Sequence, residues 1–352
     1  MEKSTLRVSR RVFLKGTAAV LATPISTNPV LAAADSQAVT YVSFGGTFQE
    51  IEQKYVTVPF AEETGIKVNV VPAPDLAKIK AQQLTGNVEW DVYEVDGPLI
   101  ASGSKQGFWA QLDLTKFDVG DMIVPPSSDS VPYCAAATGI AWDPEKYGPG
   151  KHPTNFTEYF DLTKFPGRRT LRNSPMGTLE LALLADGVKP EEMYPLDLDR
   201  AFGILSRVKH SIVFTATTPQ TVSLLQNGEV DFSYTYSNRV KASCEPGGGK
   251  PLAFSADQNI VVGYRMTILK GAPNKANALK LVAYFSRPEV QAREHDRTGL
   301  LPASKKAFTL LTPEARKWLP DMNNPHNLIV SDEYWANNLE TLVERYKLWM
   351  MS

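Results

Sequence analysis

The chain has 352 residues, and its 37 lysines and arginines nearly balance 38 aspartates and glutamates, which leaves a formal net charge of −1. This balance gives no reason to expect a nucleic-acid or membrane-surface partner. The length suits two domains, and a hydrophobic content of 43% is enough to give each domain a buried core.

The start of the chain has the features of an export signal. Residues 9–15 read S-R-R-V-F-L-K, which matches the twin-arginine pattern S-R-R-x-F-L-K. A modestly apolar stretch over residues 16–22 follows, and small residues at 32–34 end the segment. The apolar stretch is too short to span a bilayer. We therefore expect residues 1–34 to be a twin-arginine signal peptide, cleaved near Ala34, and the mature protein to lie in the periplasm.

The mature chain opens with a unit whose pattern predicts strand, loop, helix and strand. Residues 39–44 alternate in polarity, residues 48–58 carry apolar side chains at helical spacing, and residues 66–71 alternate again. Such a crossover joins two parallel strands, and ligands of open α/β sheets collect beyond the carboxyl ends of the strands. The loop after the first strand is therefore our first candidate binding surface, formed by Phe44, Gly45, Gly46, Thr47 and Phe48. The alternative is that the two glycines only form a tight turn.

Strands and helices then alternate in two series. In the first series, residues 90–95 predict a buried strand that ends at Asp96. A second series begins with a helix near Thr154 and contains further strands, one of which ends at Tyr236. Two extended apolar runs, at residues 131–142 and 259–269, separate the series, and we predict that they cross between two lobes.

This alternation predicts an α/β fold with two lobes, each a mixed sheet flanked by helices. We assign lobe 1 to residues 35–139 plus 264–296, and lobe 2 to residues 140–263 plus 297–352. The predicted hinge crossings lie near residues 136–143 and 259–266.

An exported enzyme is the rival class, because the twin-arginine pathway often serves enzymes that carry cofactors. The chain contains no G-x-G-x-x-G, P-loop or G-x-S-x-G motif. The triplet Glu294-His295-Asp296 falls in a predicted helix, where adjacent side chains point in different directions, so we interpret it as a solvent-exposed face. Four scattered histidines and two cysteines form no metal-binding pattern, and whether Cys134 and Cys244 pair stays open. We expect a protein that is not an enzyme and needs no cofactor or metal.

Short segments across nearly the whole mature chain resemble the periplasmic solute-binding proteins of ABC importers, specifically the spermidine/putrescine-binding branch. Their order and spacing match that family, and they comprise residues 42–49, 59–68, 90–92, 165–169, 179–188, 198–202, 228–230, 270–275 and a closing aromatic helix. The resemblance implies a type II periplasmic binding protein fold, in which two lobes joined by a hinge close over one small molecule. It also implies a monomer that delivers its ligand to an ABC permease in the inner membrane.

The resemblance also implies binding residues. In polyamine-binding members, aromatic rings hold the alkyl chain and carboxylates pair with the ammonium groups, since a buried cation needs a partner. Phe44, Phe48 and Tyr236 match the aromatic positions. Positions where the family carries carboxylates or a tryptophan hold other residues here, namely Asn173, Ser174, Gly177, Val262 and Tyr264.

Two ligand hypotheses follow from this pattern. A polyamine would use the aromatic walls, with Glu94 or Asp96 as the partner of its ammonium groups. An amino acid or an aminobutyrate-like zwitterion would place its carboxylate on Arg239 or Arg265, because arginine binds carboxylates in bidentate fashion. On the family resemblance we favour the polyamine, and the zwitterion, which the missing carboxylates favour, is the alternative. The alternative role of each arginine is a salt bridge, and that of Glu94 is a hydrogen bond inside its own lobe.

Overall fold

The computed structural model describes residues 37–72 and 75–352, so the signal peptide predicted over residues 1–34 lies outside the described residues. The strands of the described part are β1 (Ala38–Ser43), β2 (Lys67–Pro72), β3 (Val92–Asp96), β4 (Ser130–Trp142), β5 (Arg169–Arg172), β6 (Ile212–Thr215), β7 (Phe232–Tyr236), β8 (Ala253–Phe254), β9 (Ile260–Ile268), β10 (Leu301–Pro302) and β11 (Leu328–Ile329). The α-helices of the described part are α1 (Gly46–Glu52), α2 (Val58–Thr64), α3 (Leu76–Thr85), α4 (Gly97–Lys105), α5 (Phe156–Phe160), α6 (Thr178–Ala185), α7 (Leu198–Val208), α8 (Thr218–Gln226), α9 (Ser237–Ser243), α10 (Lys275–Phe285), α11 (Pro288–Thr298), α12 (Lys305–Leu310), α13 (Pro313–Arg316) and α14 (Asp332–Met351).

The opening unit has the form that the sequence predicts. A π-helical turn, Gln53–Thr57, joins α1 to α2, and Gly65 ends α2 in a left-handed conformation with φ of 72°. The chain then returns as β2, which pairs in parallel with β1 in the register Val39 to Val68. The loop between β1 and α1 therefore lies at the carboxyl end of a strand, where ligands collect in open α/β sheets.

One sheet runs through the described part in the order β2-β1-β3-β9-β4-β7-β5-β6. Strands β2, β1 and β3 are parallel to one another, and so are β7, β5 and β6. The two parallel sets are joined by β4 and β9, which pair antiparallel over most of their length. Since β3 pairs antiparallel with β9 and β7 pairs antiparallel with β4, the carboxyl ends of the two sets face each other across the sheet's middle.

Each parallel set has its own hydrophobic core, which gives the two-lobed α/β architecture that the sequence predicts. The core around the β1 set includes Val39, Tyr41, Phe60, Met266 and Phe285. The core around the β7 set includes Phe156, Leu171, Leu181, Phe232 and Trp335. Burial of such large apolar side chains contributes about 1.5–3 kcal/mol each, so each lobe has a substantial source of stability.

The C-terminal segment divides its contacts between the lobes. Ser304 and Lys306 donate hydrogen bonds to the carboxyl of Asp121, in the part of the chain that precedes β4. By contrast, Trp335 and Tyr346 of α14 pack in the core of the β7 set. The lobe boundaries stay a prediction, and the start of α12 contacts the segment that precedes β4.

Two further findings concern the whole described part. Cys134 is buried in β4 and Cys244 is exposed after α9, and both are free thiols. Within residues 37–72 and 75–352, no helix has the length and apolar character needed to cross a bilayer.

Candidate ligand-binding cleft

A cleft of about 650 Å³ lies where the carboxyl ends of the two strand sets face each other. Its volume is within the range of small-molecule sites, which are commonly about 300–1,000 Å³. The strand ends contribute the loop after β1, the end of β3, and the segments that follow β5, β6 and β7. The middle of the central pair contributes its floor with Cys134, Ala136, Thr138, Val262 and Tyr264.

The loop after β1 forms an aromatic wall. Phe44 contacts Phe48 and Tyr264 edge to face, with ring centroids 6.0 and 5.6 Å apart. The side chain of Phe44 is 40% exposed, which is unusual for a large apolar residue in a packed interior. Gly45 and Gly46 both have positive φ, at 79° and 60°, so the loop that presents these rings needs glycine at these positions. The arrangement offers a surface for an alkyl chain or a cation.

Asp96 supplies a carboxyl group at the end of β3. Its Oδ1 accepts a hydrogen bond of 3.2 Å from the backbone N–H of Leu99 and caps the first turn of α4. Burial raises the pKa of Asp96 to about 6, and the nearby carboxylate of Asp332 adds to the rise. Asp96 is therefore mostly ionised at neutral pH and gains from a cationic partner.

Arg172 extends from the end of β5 on the opposite lobe. Its Nη1 donates a long hydrogen bond of 3.4 Å to the hydroxyl of Tyr236, and its guanidinium lies 6.0 Å from the centre of that ring. The Nε of Arg172 is buried and has no hydrogen-bond partner among the described residues. The structure also gives Arg172 no ion pair within the described part of the chain. Arg172 is half-buried, and a guanidinium in this state has unused donors that point to an anionic ligand.

Arg239, in the first turn of α9, adds a second positive charge to this lobe. It is half-buried, lines the cleft and forms no ion pair with the described residues. Thr218 and Pro219, at the start of α8, and Asn238 complete the wall on this side. The second lobe thus presents two guanidinium groups, whereas the first lobe presents the carboxyl of Asp96.

Glu94, two residues before Asp96, lines the cleft but is fully buried. Its Oε2 shares a hydrogen bond with the hydroxyl of Tyr41, while its Oε1 has no partner among the described residues. Burial raises the pKa of Glu94 well above its usual range, and the neighbouring Glu52 raises it further. Glu94 therefore has the internal hydrogen bond that was its alternative role and also one unsatisfied oxygen.

Ten of the twelve residues expected from the sequence line the cleft. They are Phe44, Gly45, Gly46, Thr47, Phe48, Glu94, Asp96, Tyr236, Arg239 and Tyr264. Arg265 is not among the lining residues, because it follows Tyr264 in β9 and its Nε instead donates to Asp332 at 3.3 Å. Asn173 is exposed beside the cleft, and its backbone N–H donates to the carbonyl of Thr215.

Sequence reasoning missed Arg172, although its position at the end of a strand could have indicated it. Strand β5 ends at Arg172, one residue before Asn173, the position that the family resemblance had selected. A cation at the carboxyl end of a predicted strand could have been chosen on that ground alone. Ser174, Met176 and Gly177 of the next loop line the cleft as well.

The triplet Glu294-His295-Asp296 lies in a helix, as predicted, but its interpretation as a solvent-exposed face was wrong for two of its three residues. Glu294 and His295 are fully buried in α11 beside Tyr133 of β4, and only Asp296 reaches the exterior. The described residues contain no group of three or more histidine, cysteine or acidic side chains arranged to hold a metal ion.

Comparison with known proteins agrees with this architecture. Residues 56–321, which are more than half of the chain, match the family described as bacterial extracellular solute-binding protein. The chain belongs to this family. It is thus a solute-binding protein of an ABC importer, with the type II periplasmic binding protein fold that the resemblance implies.

Relatives of this solute-binding protein take different ligands. The gamma-aminobutyric acid-binding protein of Pseudomonas aeruginosa is 31% identical over 333 residues, which cover 90% of this chain and 92% of that protein. A putrescine-binding periplasmic protein of Pseudomonas aeruginosa is 24% identical over 290 residues, which cover 73% of this chain and 76% of that protein.

Two solved structures extend this picture. The structure described as the Atu4243–GABA receptor is 30% identical to this chain, with a TM-score of 0.82. The match covers 89% of this chain and 97% of that chain. A periplasmic binding protein of A. tumefaciens R10 in complex with agropinic acid is 28% identical, has a TM-score of 0.76, and covers 90% of this chain and 99% of its own.

Proposed function

We propose that this solute-binding protein captures a small zwitterion of the aminobutyrate or amino-acid class and delivers it to an ABC permease. The ligand's carboxylate lies against Arg172 and Arg239, and its ammonium group lies against Asp96 between the aromatic rings. The observation that carries this proposal is the half-buried Arg172, whose Nε is buried without a hydrogen-bond partner and whose guanidinium forms no ion pair within the described residues.

The ligand's carboxylate is placed at Arg172 because unsatisfied hydrogen-bond donors are costly. A buried N–H group without a partner costs about 1–3 kcal/mol, and hydrogen bonds between charged groups recover about 1.5–3 kcal/mol. Among the described residues, the guanidinium of Arg172 contacts only the hydroxyl of Tyr236, at 3.4 Å, which leaves most of its donors for a ligand. A carboxylate fits the planar fork of a guanidinium in bidentate fashion, whereas a second ammonium group would be repelled.

The ligand's ammonium group is placed near Asp96 because this carboxyl and the aromatic wall both favour a cation. A cation near Asp96 offsets the burial that raises the pKa of this carboxyl, and it can also lie over the faces of Phe44 or Tyr264. Because Asp96 and Arg172 belong to different lobes, a ligand with opposite charges at its two ends contacts both lobes at once. Such a ligand favours the closed form over the open form, since only closure completes both contacts.

A polyamine is the second candidate. It is supported by the aromatic wall, by Asp96 and by the putrescine-binding relative at 24% identity. The two guanidinium groups argue against it, because each would face a positively charged ligand. The gamma-aminobutyric acid-binding relative, at 31% identity over 90% of the chain, supports the zwitterion instead.

We further propose a periplasmic location, reached through the twin-arginine signal of residues 1–34. The pattern at residues 9–15 supports this route, and periplasmic relatives support the location. A monomeric binding protein that meets its permease only when closed is the simplest arrangement consistent with one cleft between two lobes.

A thermal-shift screen of the chain from residue 35 onwards tests the proposed ligand class. A ligand that binds only the folded protein raises the melting temperature by mass action. At a hundredfold excess over its Kd, it adds about 2.7 kcal/mol to the free energy of unfolding. We expect γ-aminobutyrate or an amino acid to raise the melting temperature, and butyrate and putrescine to raise it less at the same concentration. A larger shift with putrescine would favour the polyamine, and the absence of a shift with all of these ligands would refute both.

A further inference from the structure

Behind the aromatic wall lies a buried cluster of three carboxyl groups, which we call the carboxyl cluster. It consists of Glu52 of α1, Glu94 of β3 and Glu294 of α11, all fully buried. Their hydrogen-bond partners are hydroxyl groups. Ser43 and Tyr41 donate to Glu52, Tyr41 also contacts Glu94, and Tyr133 donates to Glu294.

The hydrogens in this cluster can be counted. The hydroxyl of Tyr41 carries a single hydrogen, yet its oxygen lies within hydrogen-bond distance of an oxygen of Glu52, at 2.5 Å, and of an oxygen of Glu94. Two contacts need two hydrogens, so the second has to come from one of the carboxyl groups. The pair formed by Glu52 and Glu94 therefore holds at least one proton in the empty protein.

Among the residues that the structure describes, no cation forms an ion pair with any of the three carboxyl groups. The titratable and charged side chains that surround it are Tyr41 of β1, Tyr93 and Asp96 of β3, Tyr133 and Cys134 of β4, Tyr264 and Arg265 of β9, and Arg293 and His295 of α11. Arg265 pairs with Asp332. The Arg293 guanidinium donates to the carbonyl of Tyr55 at 2.8 Å, and although its charge lowers the pKa of Glu294, burial outweighs this effect and the pKa stays well above its usual range. Burial lowers the pKa of His295 to about 3, so this ring is neutral. Buried charges without partners are costly, and the cluster avoids this cost by keeping protons.

Glu94 connects the cluster to the cleft. It lines the cleft, it is fully buried, and its Oε1 has no hydrogen-bond partner among the described residues. Glu52 lies at the end of α1, the helix that carries Phe48 of the aromatic wall. A positive charge that enters the first lobe's side of the cleft therefore approaches an acid whose second oxygen is unsatisfied.

We propose that the carboxyl pair of Glu52 and Glu94 holds a proton in the empty protein, and that an ammonium group entering the cleft displaces it. The O–H bond of the Glu94 carboxyl breaks, the proton passes to the solvent, and the resulting carboxylate pairs with the ligand's N–H groups. No oxidation or reduction takes place. The ligand's ammonium group brings one positive charge into the cleft, and the released proton takes one away. The proposal rests on the proposed function, because it needs a ligand that carries an amine.

The displaced proton can be counted by isothermal titration calorimetry in two buffers of different ionisation enthalpy at the same neutral pH. The probes are γ-aminobutyrate and putrescine. We expect the protein to release about one proton for each amine ligand bound, and the Kd to fall by up to tenfold for each unit of rising pH until the pair is ionised. In Glu94→Gln, whose amide imitates the neutral acid, we expect no proton release and a flat pH profile.

The exposed Glu62 of α2, in the same lobe, provides a matched control. Glu62→Gln is expected to release the same proton as the wild type. If an amine ligand binds the wild type without releasing a proton, the displacement is refuted while the proposed ligand class stands. If neither amine binds, both proposals fail.

The proton of the empty protein is tested without any ligand, by chemical unfolding across a series of pH values. Burial raises the pKa of Glu52 from its ordinary 4.5 to about 7. In that window the folded state binds more protons than the unfolded chain, so the wild type becomes less stable as the pH rises. We expect its unfolding equilibrium constant to increase by up to tenfold for each pH unit, relative to Glu52→Gln. Parallel curves for the wild type, Glu52→Gln and Glu94→Gln would refute the held proton.

Discussion

Replacement of Arg172 by glutamine removes the positive charge on which the proposed carboxylate contact depends. Loss of a charge-assisted contact in a desolvated site costs about 2–3 kcal/mol of binding free energy. At about 1.4 kcal/mol for each factor of ten, the Kd for γ-aminobutyrate is expected to rise by about 30- to 150-fold. The fold is expected to survive, because Arg172 gives up only the long 3.4 Å contact to Tyr236, while its carbonyl keeps the hydrogen bond from Tyr346.

The assay is isothermal titration calorimetry of Arg172→Gln beside Arg168→Gln. Arg168 precedes the same strand and is exposed, and its guanidinium donates to the backbone carbonyl of Glu229. Arg168→Gln therefore removes the same charge at a position away from the cleft. We expect Arg168→Gln to bind like the wild type and Arg172→Gln to lose affinity, with both melting temperatures close to that of the wild type. An unchanged Kd for a folded Arg172→Gln would refute the assignment of the carboxylate to this residue.

Three further predictions concern the cleft wall, the packing and the pH dependence. Tyr236→Phe removes the hydroxyl that accepts the guanidinium's hydrogen bond, and we expect calorimetry to show an affinity several-fold weaker with an unchanged melting temperature. Gly103→Ala would place a Cβ 2.1 Å from the ring of Trp109, and we expect chemical unfolding to show a loss of about 1–3 kcal/mol, whereas Gly203→Ala, a helical position with open space, should gain up to about 1 kcal/mol. Burial lowers the pKa of His295 from 6.5 to about 3, so below pH 6.5 the unfolded chain gains a proton that the folded chain lacks. As the pH falls from 6.5 towards 3, the free energy of unfolding of the wild type is therefore expected to fall relative to that of His295→Gln, by up to about 1.4 kcal/mol for each pH unit. A difference between the two proteins that does not change with pH would contradict the buried neutral ring.

The sequence was sufficient for the alternation of strands and helices and for the loops that reach the cleft. These features could be predicted because they depend on local patterns. The alternation at residues 39–44 corresponds to β1, and Gly65 ends α2. The rule that ligands collect at the carboxyl ends of strands then selected Phe44 to Phe48, and the family resemblance added Asp96 and Tyr236. These predictions needed no knowledge of which distant segments meet.

What the sequence could not provide depended on pairing between distant segments. Arg265 and Tyr264 are adjacent in β9, and side chains of adjacent strand residues point to opposite faces, so only the register with β3 decides which one reaches the cleft. Tyr264 lines the cleft and Arg265 reaches Asp332 of the final helix. The burial of Glu294 could not be read from its helix either, because it results from the contact with Tyr133, 161 residues away along the chain.

The central claim is that this protein recognises a ligand with opposite charges at its two ends. The most direct test compares γ-aminobutyrate, putrescine and succinate by isothermal titration calorimetry at neutral pH, because the three share a similar length but carry mixed, positive and negative ends. We expect γ-aminobutyrate to bind most tightly, since it alone offers a carboxylate to Arg172 and an ammonium group to Asp96. Tighter binding of putrescine, or of succinate, would contradict the account.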